Sequence, residues 1–222
     1  MMNWADLFIL YDTVQYDNNG WRNRNRVLVN GLPKWLTLAI SRVELPDQLA
    51  DRIINRVRLR DNQQFENHLR LLQTYYKSSP YLDSIYRIYP ACLSDYSHLS
   101  ASIERQTRLI ASELCIDTTI ISASEVSVHE YPLACSDECH TSDRNYSSLI
   151  INRNKKLINL LLSVGCTEYI SGMAAKSYII PSMFAEHGIR LFWNRYSEST
   201  NPVLSIVHHI LAEGPQAVLG SI

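Results

Sequence analysis

The sequence predicts an α/β protein: a Rossmann-like, mostly parallel sheet with an antiparallel hairpin and a helical middle region. Three observations point there. Short apolar runs bounded by polar residues alternate with segments of helical periodicity in the first and last thirds of the chain. An Asn30-Gly31 pair separates two strand-like runs, a strong short-range hairpin signal. Between Phe65 and Leu114 the apolar residues recur at helical rather than strand spacing.

Taken in order, Leu7-Phe-Ile-Leu-Tyr11 lies between Asp6 and Asp12 and reads as a central strand buried on both faces. Arg26–Val29 and Trp35–Ile40 flank the Asn-Gly turn. Pro33, lacking a donor, assigns that hairpin to a sheet edge. Val57 and Leu59 alternate with Arg56, Arg58 and Arg60, the pattern of a half-exposed strand. Phe65, Leu69, Leu72 and Tyr76 define one helix, and Leu99, Ile103, Ile110 and Leu114 another. Thr118–Ser122 is a strand, and the polar stretch 127–148 is a long loop of the kind that often carries function. A helix with Leu149, Arg153, Leu157, Leu160 and Val164 as its stripe stops at Gly165. Strand Glu168–Ser171 ends at Gly172, a short helix 182–187 closes at Gly188, and Ile189–Trp193 is the last strand. Asn201-Pro202 predicts an N-cap and first turn for a helix running to Gly214, with Val203, Leu204, Val207, Ile210 and Leu211 buried.

The 222 residues suit one domain with a sizeable core. With 46% hydrophobic and 19% charged residues the composition is that of a globular protein. A net charge of -1 supplies no global field toward nucleic acid or an anionic membrane. No apolar run has the length of a membrane span, and Met1–Asp6 shows no signal-peptide pattern, so a cytoplasmic location is expected. Five scattered cysteines argue against a disulfide framework. Cys135, Cys139 and His140 lack a second ligand pair at zinc spacing, so no metal site is assigned.

Ligands of parallel α/β sheets sit beyond the carboxyl ends of strands, where Asp12, Gln15, Ser171 and Gly172 fall. Asp12 could be a base, a metal ligand or a ribose binder, or it could cap the next turn while Gln15 ties down a loop. In Trp21-Arg22-Asn23-Arg24-Asn25-Arg26, an extended chain puts the arginines on one face and the asparagines with Trp21 on the other. Guanidinium forks suit carboxylate or phosphate, though composition alone favours a solvated strand face. After Ser171, Gly172 permits close backbone approach to a ligand and Lys176 could meet an anion; an ordinary strand-to-helix turn is the plainer reading. Ser205 and His208 are placed on one helix flank and read as a polar surface rather than a nucleophile with its base.

These residues resemble the WbqC-like protein family. The matching blocks run in order through the chain: Ala5-Asp6 to Asp12-Thr-Val-Gln15-Tyr16, Trp21 to Asn25, Trp35-Leu-Thr37, Cys115 to Glu125, Gly165 to Gly172 with Lys176 and Tyr178, and Leu204 to Ala217. The likeness implies a single WbqC-like α/β domain over 1–222. It also implies a role in surface-polysaccharide (O-antigen) or specialised-metabolite biosynthesis. An acyl or aminoacyl transferase acting on an amino sugar or similar amine is the chemistry we conjecture from that context. Asp12 and Gln15 are the catalytic candidates. Tyr16, Trp21, Asn23, Arg24, Asn25, Ser171, Gly172, Lys176 and Tyr178 are the substrate-binding candidates, expected to line one shared cleft. Two departures stand out. Members usually carry His-Gln-Pro and Tyr-Leu-Pro-Trp motifs ahead of the Ala-Asp block, which here lies at residue 5, and an Asp where this chain has His208. The first implies either a non-catalytic accessory or inactive member, or a true start upstream of Met1. A nucleotidyltransferase-like arrangement, with a nucleotide near Asp12 and Ser171, is a looser analogy of fold. The expected partner is a small-molecule, nucleotide-sugar or carrier-bound substrate, with no nucleic acid and no membrane span. A homodimer is left open, and no cofactor is indicated.

Overall fold

The computed structural model describes residues 2–18, 20–43, 46, 52–61, 63–89, 97–131, 147–194 and 203–221. In chain order its elements are β1 (Leu7–Leu10), β2 (Arg24–Val29), β3 (Leu32–Thr37), α1 (Gln63–Tyr75), α2 (Ser84–Ile88), α3 (Leu99–Glu113), β4 (Thr119–Ser122), α4 (Ser148–Ser163), β5 (Glu168–Gly172), α5 (Pro181–Glu186), β6 (Arg190–Asn194), α6 (Ile206–Glu213) and α7 (Pro215–Ser221). The chain is α/β. It divides into two compact units, a larger one of Met2–Ser124 with Ser199–Ile222 and a smaller one of Glu125–Glu198.

In the larger unit β1 and β4 pair in parallel, Leu7 opposite Thr119 and Leu10 opposite Ser122. β2 and β3 form the antiparallel hairpin, with Arg24 opposite Thr37 and Val29 opposite Leu32. Asn30 and Gly31 both have positive φ, 51° and 76°. That is what a two-residue turn matching the strand twist requires, and it explains the Asn-Gly pair. The core gathers Val27, Val57, Leu72, Ile85, Ile88, Leu99, Ile210 and Leu211. A hydrogen bond from Ser205 N–H to Arg26 O (2.7 Å) ties the start of α6 to β2. In the smaller unit β5 and β6 pair in parallel, Ser171 opposite Trp193 and Gly172 opposite Asn194. Ile158, Leu161, Ile179, Met183, Phe184 and Ile189 form its core.

The helices α3, α4 and α5 leave through the same joint. The N–H two residues past each C-cap neighbourhood returns to the last turn: Ile116 to Ala111 O, Cys166 to Leu161 O and Ile189 to Phe184 O, each 2.9 Å. Cys115 takes the left-handed conformation there (φ 53°), a position where glycine is the usual occupant.

Several expectations need correction. β1 is half-buried along its length rather than buried on both faces, since among the described residues its one ladder partner is β4. Val57 and Leu59 are buried and alternate with exposed arginines as expected, yet the segment makes only isolated bridges, Leu59 with Ile40 and Arg58 with His98. The buried stripe of α4 is Asn154, Ile158, Leu160 and Leu161, whereas Leu149 is exposed. Helix α6 starts at Ile206 with Ser205 as its N-cap, the serine oxygen accepting from Val207 N–H; Val203 lies outside it and is exposed. The short helices α2 and α7 were not anticipated. Asn201, Pro202, Cys135, Cys139, His140 and the loop core 132–146 lie outside the described residues.

Between α6 and α7, Gly214 has φ 91° and ψ 156°, and a Cβ built on it would come within 2.6 Å of the Tyr81 ring. Backbone strain and the collision act together, so Gly214→Ala is expected to lower stability by about 2 kcal/mol in urea denaturation. An unchanged midpoint would show that the helix break relaxes freely.

Candidate functional site

Asp12 lies two residues past the carboxyl end of β1 and is buried, 4% exposed. Its Oδ1 accepts from Ser124 N–H (2.9 Å), and its Oδ2 accepts from Ser124 Oγ (2.7 Å) and Ser100 Oγ (3.1 Å). Its backbone carbonyl accepts from Asn55 N–H (3.0 Å). One carboxylate therefore joins the carboxyl ends of β1 and β4 to the first turn of α3. Beside it, Ser122 and Arg108 donate to Glu104; burial opposes ionisation of Glu104, but these bonds hold its carboxyl below the usual range. Gln15 is exposed and forms a backbone bridge with Ile53. Tyr16 is buried in the core, its hydroxyl pushed above the ordinary tyrosine value by burial and by Asp17, with Arg24 pulling the other way.

The Trp–Arg ribbon folds into a stack. Because β2 begins at Arg24, strict alternation holds only from there on, and residues 20–23 form a turn. Trp21 consequently lies with the arginines, not with the asparagines. Its ring meets Trp35 edge to face at 4.8 Å. The Arg26 guanidinium lies 4.6 Å from the Trp21 ring centre and 5.1 Å from that of Trp35; Arg24 lies 4.6 Å from Trp35. Arg24 Nε also donates to Gly20 O (3.1 Å). Asn23 exchanges two bonds with Leu38, Nδ2 to Leu38 O and Leu38 N–H to Asn23 O, both 2.8 Å. Asn25 Oδ1 accepts from Arg26 N–H (2.9 Å) at the exposed face. Trp21 and Trp35 stay 46% and 39% exposed, so the ribbon presents aromatic surface beside charge. Trp35 and Arg26 were not among the expected site residues. Counting back from the Asn-Gly turn pairs Arg26 with Trp35, a signal the sequence already held.

The late segment occupies the smaller unit. Ser171 is buried near the end of β5 and shares a hydrogen bond with the Tyr169 side chain, whose hydroxyl burial pushes up. Gly172 has an ordinary extended conformation, φ -74° and ψ 154°, with open space where a Cβ would project. Nothing in the unit's own packing requires glycine there. Lys176, on the turn that follows, holds its ammonium 5.2 Å from the ring centre of Trp193, which sits opposite Ser171. Tyr178 is 47% exposed, and its carbonyl accepts from Asn154 Nδ2 (2.8 Å) while Asn154 Oδ1 accepts from Ile180 N–H (3.0 Å). Trp193 and Asn154 were missed as contributors, the latter because a lone Asn on a helix reads as surface.

Ser205 and His208 do not form a pair. Ser205 caps α6, and His208 Nδ1 contacts Tyr76 Oη at 2.7 Å. Tyr76 Oη already accepts from Leu28 N–H (3.1 Å), which directs its proton to a neutral imidazole. Among the described residues no three His, Cys, Asp or Glu side chains are grouped to hold a metal ion. No helix of the described residues is long and apolar enough to cross a membrane.

A sequence model of the WbqC-like protein family matches residues 1–219. A protein named "Uncharacterized protein Rv1507c", from Mycobacterium tuberculosis (strain ATCC 25618 / H37Rv), is 26% identical over 232 residues, covering 97% of this chain and 88% of that protein. No solved structure matches significantly.

Asp12→Ala would leave Ser124 N–H and two hydroxyls without their acceptor, an expected loss of about 3 kcal/mol in urea denaturation. Lost activity with an unchanged midpoint would instead assign Asp12 to chemistry. A second expectation concerns acid. Burial first, and His209 second, hold the His208 pKa below its ordinary 6.5, with Glu213 opposing; burial lowers His68 likewise, against a contact with the Thr37 backbone. The unfolded chain therefore binds protons more readily than the folded one. Stability should be full above about 6.5 and fall as pH drops from there through the lower folded-state values. His208→Asn, which keeps an acceptor for Tyr76, should make that fall shallower; greater stability on acidification would contradict the assignment.

Proposed function

The chain belongs to the WbqC-like protein family, and on that premise we propose a biosynthetic enzyme of surface polysaccharide (O-antigen) or specialised-metabolite assembly. The reaction we assign is transfer of an acyl or aminoacyl group to an amino sugar or similar amine. The observation that carries a polar or anionic ligand is the ribbon in which two guanidinium groups lie on two half-exposed indoles. Trp21, Asn23, Arg24 and Asn25 bind that ligand's polar part, with Tyr16 supporting them from the core. Gln15 and Asp12 act as orienting residues at the strand end. Within the smaller unit, Ser171, Gly172, Lys176 and Tyr178 form a polar edge of their own, where Gly172 allows the backbone to approach a ligand closely.

A second reading, a non-catalytic ligand-binding accessory protein or inactive member, draws support from one observation. The Asp12 carboxylate already accepts three bonds from Ser100 and Ser124, which suits holding the fold better than accepting a proton.

Mass spectrometry of co-purifying ligands, with glycan comparison between cells that carry and lack the gene, tests the proposal. The enzyme reading expects an amine on the glycan or metabolite to lose its acyl group when the gene is removed. Unchanged glycans and metabolites would reject it. Arg24→Ala should weaken capture of the co-purifying ligand roughly tenfold while destabilising by no more than about 1–2 kcal/mol, from the lost Gly20 bond and Trp35 stack. A larger loss of stability with ligand capture intact would make the arginine structural.

A further inference from the structure

Among the described residues of the larger unit, Asn23, Arg26, Asn55 and Gln106 each have a buried side-chain polar atom without a hydrogen-bond partner, and Arg26 is the cation of that set. Its Nε is buried and has no hydrogen-bond partner. Among the described residues the side chain forms no ion pair either; its neighbours are the rings of Trp21 and Trp35. A buried guanidinium N–H normally meets a carboxylate or carbonyl, since an unpaired N–H away from water is unfavourable; the Arg26 side chain as a whole is half-buried. Two indoles stabilise the charge through their ring faces but accept none of the in-plane N–H groups. The terminal N–H groups, not the buried Nε, lie along the accessible guanidinium edge, and this fork matches a planar or tetrahedral oxyanion. Immediately beside them, the exposed parts of Trp21 and Trp35 offer a surface suited to a flat ring or the apolar face of a sugar.

We propose that Arg26, between Trp21 and Trp35, is an oxyanion-recognition residue for a ligand that carries its phosphate or carboxylate next to a ring. This rests on the ligand-binding reading of the ribbon and names the chemistry that Arg26 selects. Such an anion comes from one of two sources, the phosphates of a nucleotide or nucleotide sugar or the carboxylate of an acidic sugar. An anion without a ring, or a ring without an anion, uses half of the site and binds more weakly.

The test is isothermal titration of the full chain at low and moderate salt with four probes: uridine diphosphate, uridine, glucuronate and glucose. Binding of uridine diphosphate but not glucuronate identifies the nucleotide source, and the reverse identifies the acidic sugar; either supports the proposal if uridine and glucose bind roughly tenfold more weakly or worse. Arg26→Ala should abolish the anion's advantage over its neutral counterpart. Arg26→Lys, which keeps the charge but loses the fork, should recover only part of it and should protect against simple misfolding as the explanation. Arg42→Ala, an exposed arginine outside the ribbon, should bind as the wild type does. The proposal is overturned if neither anion binds in the millimolar range, if Arg26→Ala retains the preference in a folded protein, or if Arg42→Ala loses it equally. In all three cases a glycan or metabolite change on gene removal would leave the broader biosynthetic reading standing.

Discussion

A buried carboxylate, Asp12, ties the larger unit's parallel strands to its main helix, and Glu104 of that helix adds a bond from Ser122. β1 and β4 are four residues each and pair only with one another among the described residues, so their own ladder supplies few bonds. What fixes their carboxyl ends is Asp12, which draws in the Ser124 backbone, the Ser124 hydroxyl and the Ser100 hydroxyl at the second residue of α3. Burial of this carboxyl group is offset because three donors bond it and the N-terminal end of α3 lies alongside. The same residue whose position suggests chemistry is thus also required by the architecture, and the two roles compete for the same lone pairs.

The device recurs with carboxamides. Gln64, buried in the first turn of α1, hydrogen-bonds both the N–H and the carbonyl of Ala39 and also the carbonyl of Asp61. In the smaller unit Asn154 on α4 bonds Ile150 O, Tyr178 O and Ile180 N–H. In each case an irregular strand exit or turn has backbone groups that no ladder satisfies, and an inward amide satisfies them. The amide displaces an apolar side chain from the helix stripe. This is why Asn154 sits in the buried stripe of α4 with Ile158, Leu160 and Leu161, while Leu149 is exposed and Leu157 only partly buried. A reading by hydrophobic period treats such an asparagine as surface, and the phase error follows directly.

What could be read and what could not divide along the same line. The Asn-Gly turn, the helix stops and the apolar strand runs are local signals, carried by residues adjacent in the chain, and they were legible. The extent of α6 was not, because Ser205 competes with Asn201-Pro202 as a start signal and its hydroxyl reaches Val207 N–H. Burial of β1 was overestimated because an apolar run does not say how many partner strands are present. The site shows both outcomes. The Trp21–Arg26 segment is conspicuous in composition, yet its stacking partner, Trp35, emerges only when the hairpin register is applied. Trp21 changes face because the alternation rule has no force in the turn before Arg24.

That stacking decides what the ribbon can do. An arginine neutralised by a carboxylate is spent as a receptor, since a second anion would have to displace the first. An arginine held by indole faces keeps its charge and its in-plane donors, because the quadrupole of the ring attracts the cation from above and leaves the edge alone. The chain as a whole carries a net charge of -1, so it provides no long-range field that would gather anions indiscriminately. Recognition at Arg26 is therefore short-ranged, within about 10 Å at ordinary ionic strength. It depends on the ligand bringing ring and anion together in one molecule. Shape and charge are read by the same three side chains, and that places selectivity in the hairpin register rather than in the protein's overall charge.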